Sequence, residues 1–233
     1  MHDYHKRHSD YLKHRGILLV ISSPSGAGKT TITRSLLAEE KYVTLSVSAT
    51  TRPARPKEKP GDHYHFKTEE EFKQLIEEDA LFEHAYVFGN WYGTLRAPVE
   101  KRLEEGYDVL LDIDWQGAQQ MIQEARNYVV SVFLLPPSLS ILEERLRSRA
   151  EDSETAIKQR MCEAIDEISH WAEYDYVVVN DNLEKSINDV RSILRSERLK
   201  RTRQVGLSHF IHHLTEADET LPVDLLPKAQ REL

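Results

Sequence analysis

One cysteine, Cys162, stands in a chain of 233 residues. That excludes an internal disulfide and any metal site built from several cysteines. No apolar run approaches the ~20 residues that cross a bilayer. The first fifteen residues are polar and hold His2, His5, His8 and His14, unlike a secretory leader. These histidines offer a metal site or a solvated arm, and a terminus without apolar periodicity reads as the arm. Basic residues are in deficit: 31 Lys and Arg against 39 Asp and Glu leave a net charge of -8. That argues against wholesale nucleic-acid binding, though a locally basic cleft can still hold nucleotides. No internal repeat is present. These absences predict a cytoplasmic protein with neither a membrane nor a nucleic acid as partner.

What is present begins with the apolar run Ile17 to Ile21, which reads as a buried strand. Ser23-Pro24-Ser25-Gly26-Ala27-Gly28-Lys29-Thr30-Thr31 follows and leads into a helix-forming stretch through Leu36 and Leu37. Strand, small-residue loop, Gly-Lys-Thr and helix make a phosphate-binding loop. Backbone N–H groups of such a loop and the open helix N-terminus converge on an anion. Gly26 and Gly28 allow backbone angles and approaches that a Cβ blocks. Lys29 brings a point charge to terminal phosphates, and the Thr30 hydroxyl suits Mg2+. The general pattern G-x-x-x-x-G-K-[ST] has lost its first glycine, which is Ser23 here.

Further buried-strand candidates are Thr44 to Ser48, Val109 to Ile113, Val129 to Leu135 and Tyr176 to Val179, with helical stretches between them. The alternation predicts an α/β fold, a P-loop NTPase-type three-layer sandwich on a mostly parallel five-stranded core sheet. Two insertions break the rhythm. Residues 49–98 are rich in Arg, Pro, Tyr and Gly, with one short helix around Phe72, Leu75 and Ile76. Residues 138–160 read as two helical pieces joined near Ala150 to Ser153 and hold Arg145, Arg147, Arg149 and Arg160. The expected division is an arm (1–15), a core (16–48, 99–137 and 161–205), the two insertions, and a tail (206–233). A long helix from Leu183 to Arg203 closes the core, and the tail reads as a peripheral helix with a disordered end.

The strand Val109 to Ile113 runs into two acids, Asp112 and Asp114, spaced to share one face. In an open parallel sheet ligands bind beyond the C-terminal strand ends, so Asp112 is placed to hold a Mg2+ shell. The alternative for both acids is a solvated strand end that caps the next helix. Arg52 and Arg55 lie three apart on a proline-stiffened segment. Guanidinium pairs answer a phosphate dianion, and ordinary surface ion pairs are the other reading. Tyr64 and Tyr92, taken alone, read as core aromatics.

The runs S-V-S-A-T-T-R-P-A-R-P, G-D-H-Y-H-F, F-E-H-A-Y-V-F-G-N-W-Y-G-T, L-D-I-D-W-Q-G-A-Q-Q and S-H-W-A-E-Y-D-Y-V-V-V-N-D resemble guanylate kinase. The resemblance spans about residues 16 to 203. It implies phosphoryl transfer from ATP to GMP with Mg2+, and dGMP as a second acceptor. It makes residues 49–98 the GMP-binding subdomain and 138–160 the lid. By resemblance, Arg52, Arg55, Tyr64 and Tyr92 hold the GMP phosphate. Ser48, Glu83 and Thr94 read the guanine, and Asp114 lies near the acceptor nucleotide. A carboxylate such as Glu83 can accept from guanine N1–H and N2–H together.

The arginine-dense segment resembles the family's lid over ATP. Arg145, Arg149 and Arg160 would then neutralise charge on the transferring group. Their alternative is pairing with Glu143, Glu144 or Asp152. Ala150 stands where the family has glycine after this arginine. Asn180 and Asp181 match the loop beside the adenine, which sets Asn180 with residues 23–31 as the ATP site. No histidine need act as a base: a GMP phosphate with a second pKa near ~6 is already an ionised nucleophile at neutral pH. Bacterial members of the family form dimers or larger assemblies, so a homo-oligomer is compatible with the resemblance. Two other readings are a ribose-bisphosphate kinase on the same scaffold and a non-catalytic interaction module. The first should lack Ser48, Glu83 and Thr94, and the second can dispense with Lys29 and Asp112; all five are present.

Overall fold

The computed structural model describes residues 14–87, 89–149 and 154–216. Arg15–Arg198 forms one compact unit, and among the described residues His14 and 199–216 belong to another. Within the larger unit, β1 (Leu18–Ser22) is buried along its whole length. It leads through the phosphate loop into α1 (Lys29–Glu39) and then to β2 (Val43–Leu45). The chain returns to the same sheet with β7 (Asp108–Asp112), β8 (Val129–Leu135) and β9 (Tyr176–Val179). The order β2-β7-β1-β8-β9 is parallel at every pairing. The sheet is therefore all parallel rather than mostly so.

Alternation along β1 explains the three layers. Leu19 and Ile21 point to the side packed by Ile32 and Leu36 of α1 and by Val190 and Leu194 of α7 (Leu183–Arg198). Leu18 and Val20 point to the side packed by Val99 and Leu103 of α3 (Arg96–Glu104) and by Met121 and Ala125 of α4 (Trp115–Ala125). A strand buried on both faces favours apolar residues at nearly every position, which is why β1 and β8 read as near-continuous apolar runs; the buried Ser131 of β8 donates to Asp175 at 2.9 Å.

The inserted segment folds on a second sheet. β3 (Ala49–Thr50), β4 (His65–Phe66), β5 (Leu81–Val87) and β6 (Asn90–Leu95) stand in the order β4-β3-β6-β5. The short helix is α2 (Glu69–Glu77), opened by a reciprocal capping box between Thr68 and Glu71. Its Phe72 stacks on Trp91 with ring centroids 5.8 Å apart.

Three expectations need correction. Tyr176 to Val179 is a strand but not a buried one, because β9 is a sheet edge and leaves Val177 and Val179 exposed. The run Thr44 to Ser48 is not one buried strand. β2 ends at Leu45, which is 41% exposed, because this edge strand leaves the core sheet to supply the second one. The closing helix ends at Arg198, not Arg203, because Lys200 takes an extended backbone (ψ 128°) before a 3-10 turn at Arg201–Arg203. The 138–160 segment gives α5 (Leu139–Arg149) and α6 (Glu154–Ser169); their junction at Ala150 to Ser153 lies outside the described residues. In the smaller unit, His14 bridges Gln204 and α8 spans Leu207–Glu216. The other arm histidines and the tail beyond 216 lie outside the described residues. No described helix is long and apolar enough to cross a membrane.

Candidate active site

The phosphate loop turns between β1 and α1. Gly28 sits at φ +107°, and a Cβ there would stand 2.3 Å from Asn180 Nδ2. Only glycine meets both conditions. Asn180 is buried and donates to the Ala27 carbonyl at 2.7 Å. Ala27 N–H donates to the Pro24 carbonyl at 3.1 Å. No side chain caps α1 and no acid stands in its first turn, so its positive end is left for an outside anion. The Ser25 amide donates to Glu167 of α6 at 3.3 Å. Burial holds the Glu167 carboxyl above the usual carboxylate range, against the pull of that amide and of Lys29.

Lys29 Nζ lies 2.5 Å from Asp112 Oδ1 and donates to the Ile113 carbonyl at 3.3 Å. Parallel register produces this meeting. Ile21 of β1 stands beside Asp112 of β7, so the lysine that follows β1 reaches the acid that ends its neighbour. Ser22 Oγ donates to the same Ile113 carbonyl at 2.9 Å and fixes the strand end. Thr30 is exposed in the first turn of α1. Among the described residues no group of three or more His, Cys, Asp or Glu forms a metal cage. One hydroxyl and one carboxylate are still a fitting set for Mg2+, which keeps several waters and takes its remaining oxygens from substrate phosphates.

Beyond Asp112 opens a cleft of about 300 Å3, lined among others by Ser48, Tyr64, Glu83, Tyr92, Asp112 and Asp114. Glu83 of β5 is 5% exposed. Thr94 pairs with it in register across the β5/β6 hairpin, and its hydroxyl donates to Glu83 Oε1 at 2.6 Å. Burial pushes the Glu83 carboxyl up to about 7; Thr94 pulls it down and the Asp114 charge adds to the rise. Asp114 also caps α4, accepting from Gly117 N–H at 2.8 Å, so the helix-cap alternative holds at that residue alongside its place in the cleft. Tyr64 and Tyr92 are half-buried with edge-on rings 6.1 Å apart. They are cleft walls rather than core, and burial raises the Tyr64 phenol above its ordinary range. The Arg52 guanidinium lies 5.3 Å from the Tyr64 ring centroid. Arg55 is exposed on the same turn.

The model of the family described as "Guanylate kinase" matches residues 15–197. The chain belongs to the guanylate kinase family. It is 57% identical to the guanylate kinase of Rhodospirillum rubrum over 88% of this chain and 94% of that one. Against the guanylate kinase of Paramagnetospirillum magneticum the identity is 58% over 86% and 94%. The crystal structure of guanylate kinase from Anaplasma phagocytophilum superposes with a TM-score of 0.72 at 39% identity, covering 89% of this chain and all of that one.

The arginine-dense segment 138–160 is described except for residues 150–153 and the side chain of residue 149. Arg145 donates to the Ala27 carbonyl at 3.4 Å and so lies on the phosphate loop. Arg160 lies on α6. The side chain of Arg149 lies outside the described residues. Arg147 of the same segment binds Glu143 and Glu154.

Three contacts had no advance signal strong enough to name them. Glu58 grips Arg52, and its place three residues after Arg55 in a turn was the one available hint. Glu167 reaches the Ser25 amide from 142 residues away in sequence. Asn180 supports the phosphate loop through Ala27, a contact no sequence pattern announces.

Proposed function

We propose that this chain performs its family's reaction, moving the γ-phosphoryl group of ATP to the phosphate of GMP to give ADP and GDP, with the residues placed above. One observation carries the reading: Asp112 belongs to both halves of the site. It touches Lys29 of the phosphate loop and lines the cleft that holds the buried carboxylate of Glu83. Donor and acceptor nucleotides therefore share one space, as in-line transfer requires.

In this reading Ser48, Glu83 and Thr94 take the guanine. Arg52, Arg55, Tyr64 and Tyr92 take its phosphate, and Asp114 stands beside the acceptor. Residues 23–31 cradle the donor phosphates, with Asn180 behind them. Thr30 and Asp112 would hold Mg2+, which when bound neutralises charge on the β- and γ-oxygens. Lys29, Arg145, Arg149 and Arg160 meet the charge that builds on the transferring group. No side chain needs to take a proton, since the GMP phosphate is already ionised near neutral pH. We place the protein in the cytoplasm, in keeping with its single cysteine.

A coupled assay with ATP and each of GMP, dGMP, AMP, UMP and ribose bisphosphate tests the reading. Turnover with GMP well above AMP and UMP is expected. Turnover with ribose bisphosphate and none with GMP would overturn it.

A further inference from the structure

Gly117 is the third residue of α4 and is buried. Glycine is a poor helix former and alanine the best, so a buried glycine in the first turn of a helix needs a reason. Backbone angle does not supply one, because Gly117 is absent from the residues with positive φ. Space does. A Cβ on Gly117 would lie 2.9 Å from Glu83 Oε2, 3.3 Å from Glu83 Cδ and 3.5 Å from Asp114 Oδ1. Ordinary contact begins at 3.4 Å, so the methyl would fall about half an ångström short of it.

What yields to such a methyl decides its effect. The backbone of α4 is held at this point by the Gly117 N–H to Asp114 bond, 2.8 Å. Glu83 is held at its other oxygen by Thr94, 2.6 Å, on a strand paired through β6. The group that can move is the end of the Glu83 side chain, Oε2 foremost, and Glu83 lines the cleft.

We propose that Gly117 is a positioning residue for guanine selection: its missing side chain sets the depth at which the Glu83 carboxylate stands in the acceptor cleft. The inference rests on the reading of Glu83 as the guanine contact. Thr94 fixes one oxygen, and the bare face of α4 lets the other sit back. A methyl at 117 pushes that oxygen forward, into the space the base edge would occupy. The phosphate clamp of Arg52, Tyr64 and Tyr92 is untouched by it.

The test is a double-mutant cycle with Gly117→Ala and Glu83→Ala, reading kcat/KM for GMP and for IMP, which lacks only the 2-amino group, together with Tm. Gly117→Ala alone is expected to lower kcat/KM for GMP by about 10-fold or more and to narrow the GMP/IMP preference, with Tm level or raised. In the Glu83→Ala background the same substitution should cost less than about 2-fold, because the group it displaces is gone. Equal losses in both backgrounds, or no loss in the wild-type background, would overturn the inference. If Gly117→Ala alone does not fold but the double variant does, the steric contact with Glu83 is established by that rescue. If neither folds, Gly117 serves another purpose and the inference fails. Failure of the underlying reading looks different: Glu83→Ala by itself would then leave the GMP/IMP preference unchanged.

Discussion

Glu58 sets both its carboxylate oxygens on one nitrogen of Arg52, at 2.8 and 3.0 Å. Each of the two side chains is 15% exposed. The same carboxylate accepts from the Arg55 amide at 2.8 Å, and the other terminal nitrogen of Arg52 donates to the Pro53 carbonyl at 2.8 Å. The ion pair raises the Arg52 guanidinium above its ordinary range and lowers Glu58 below the usual carboxylate range. An acid thus holds in place the cation that the proposed reaction aims at a phosphate.

Glu58 acts as a strut, and preorganisation is what it contributes. Glu58→Gln keeps the size but loses the charge-assisted grip, so Arg52 must be ordered by the ligand itself. The KM for GMP is expected to rise by about 10-fold, with kcat changed far less. Steady-state kinetics across GMP concentration decides this. A fall in KM would show Glu58 to be a competing anion instead.

Lys29→Ala should lower turnover by about 100-fold or more while leaving Tm near wild type. The side chain faces Asp112 and the cleft, not the core, so its loss leaves no packing defect. Near-wild-type turnover in a pure sample would remove this loop from the chemistry.

Asn180→Ala should cost stability and ATP binding together. Its buried amide holds the Ala27 carbonyl. Losing that bond, with only the longer 3.4 Å contact from Arg145 left on the carbonyl, is expected to cost about 1 kcal/mol in urea unfolding. A slackened phosphate loop should raise KM for ATP and spare KM for GMP. Equal changes in both constants would place the effect elsewhere.

Glu83→Gln should weaken use of GMP and narrow the preference over AMP. Adenine offers a lone pair at N1 and no donor at C2, which the wild-type carboxylate repels. Discrimination of this kind reaches roughly 10,000-fold when a buried polar group is left unmatched. An amide in place of one oxygen is expected to cost GMP about 1–3 kcal/mol in kcat/KM. An unchanged GMP/AMP ratio would mean that Glu83 does not read the base.

The same carboxyl predicts a pH dependence of folding. Glu83 titrates at about 7 in the fold against an ordinary 4.5. Below 4.5 both folded and unfolded chains hold the proton, and the site carries no penalty. As pH rises from 4.5 to about 7 the unfolded chain loses the proton first, so stability falls, and above 7 the loss is complete. The burden on the nucleotide-free protein is on the order of 3 kcal/mol at pH 8. Urea unfolding of wild type and Glu83→Gln at pH 5 and pH 8 measures it. The glutamine variant should gain stability relative to wild type at pH 8 and not at pH 5; an equal difference at both would refute the shift.

The parts of this protein written in short stretches of chain were legible in advance. The runs Val129 to Leu135 and Tyr176 to Val179 are strands over those same residues: the first is central and buried, with Ser131 its one polar residue, and the second is an edge strand legible from its β-branched valines although Val177 and Val179 are exposed. The phosphate loop was legible because strand, glycines, lysine and helix follow one another directly from Leu18 to Glu39, and the geometry they need is local. Thr44 to Ser48 was misread because its apolar and β-branched residues look the same at an edge, and being an edge is a property of the sheet.

The amino-acid sequence by itself determined the layered α/β plan, the anion-binding turn and the residue types that suit a nucleotide. Tertiary structure alone decided which distant residues meet. Asp112 reaches Lys29 because β7 lies beside β1 in parallel, 84 residues apart at the shared Ile113 carbonyl. Glu83 comes to rest against α4 with no room for a side chain at Gly117, and Asn180 closes on Ala27 from 153 residues away. Periodicity and propensity act over a few residues, whereas these contacts depend on which strands pair and on how closely two backbones approach. A hydrophobic pattern favours a face but does not name its partner, so the site's electrostatics follow from the packed fold.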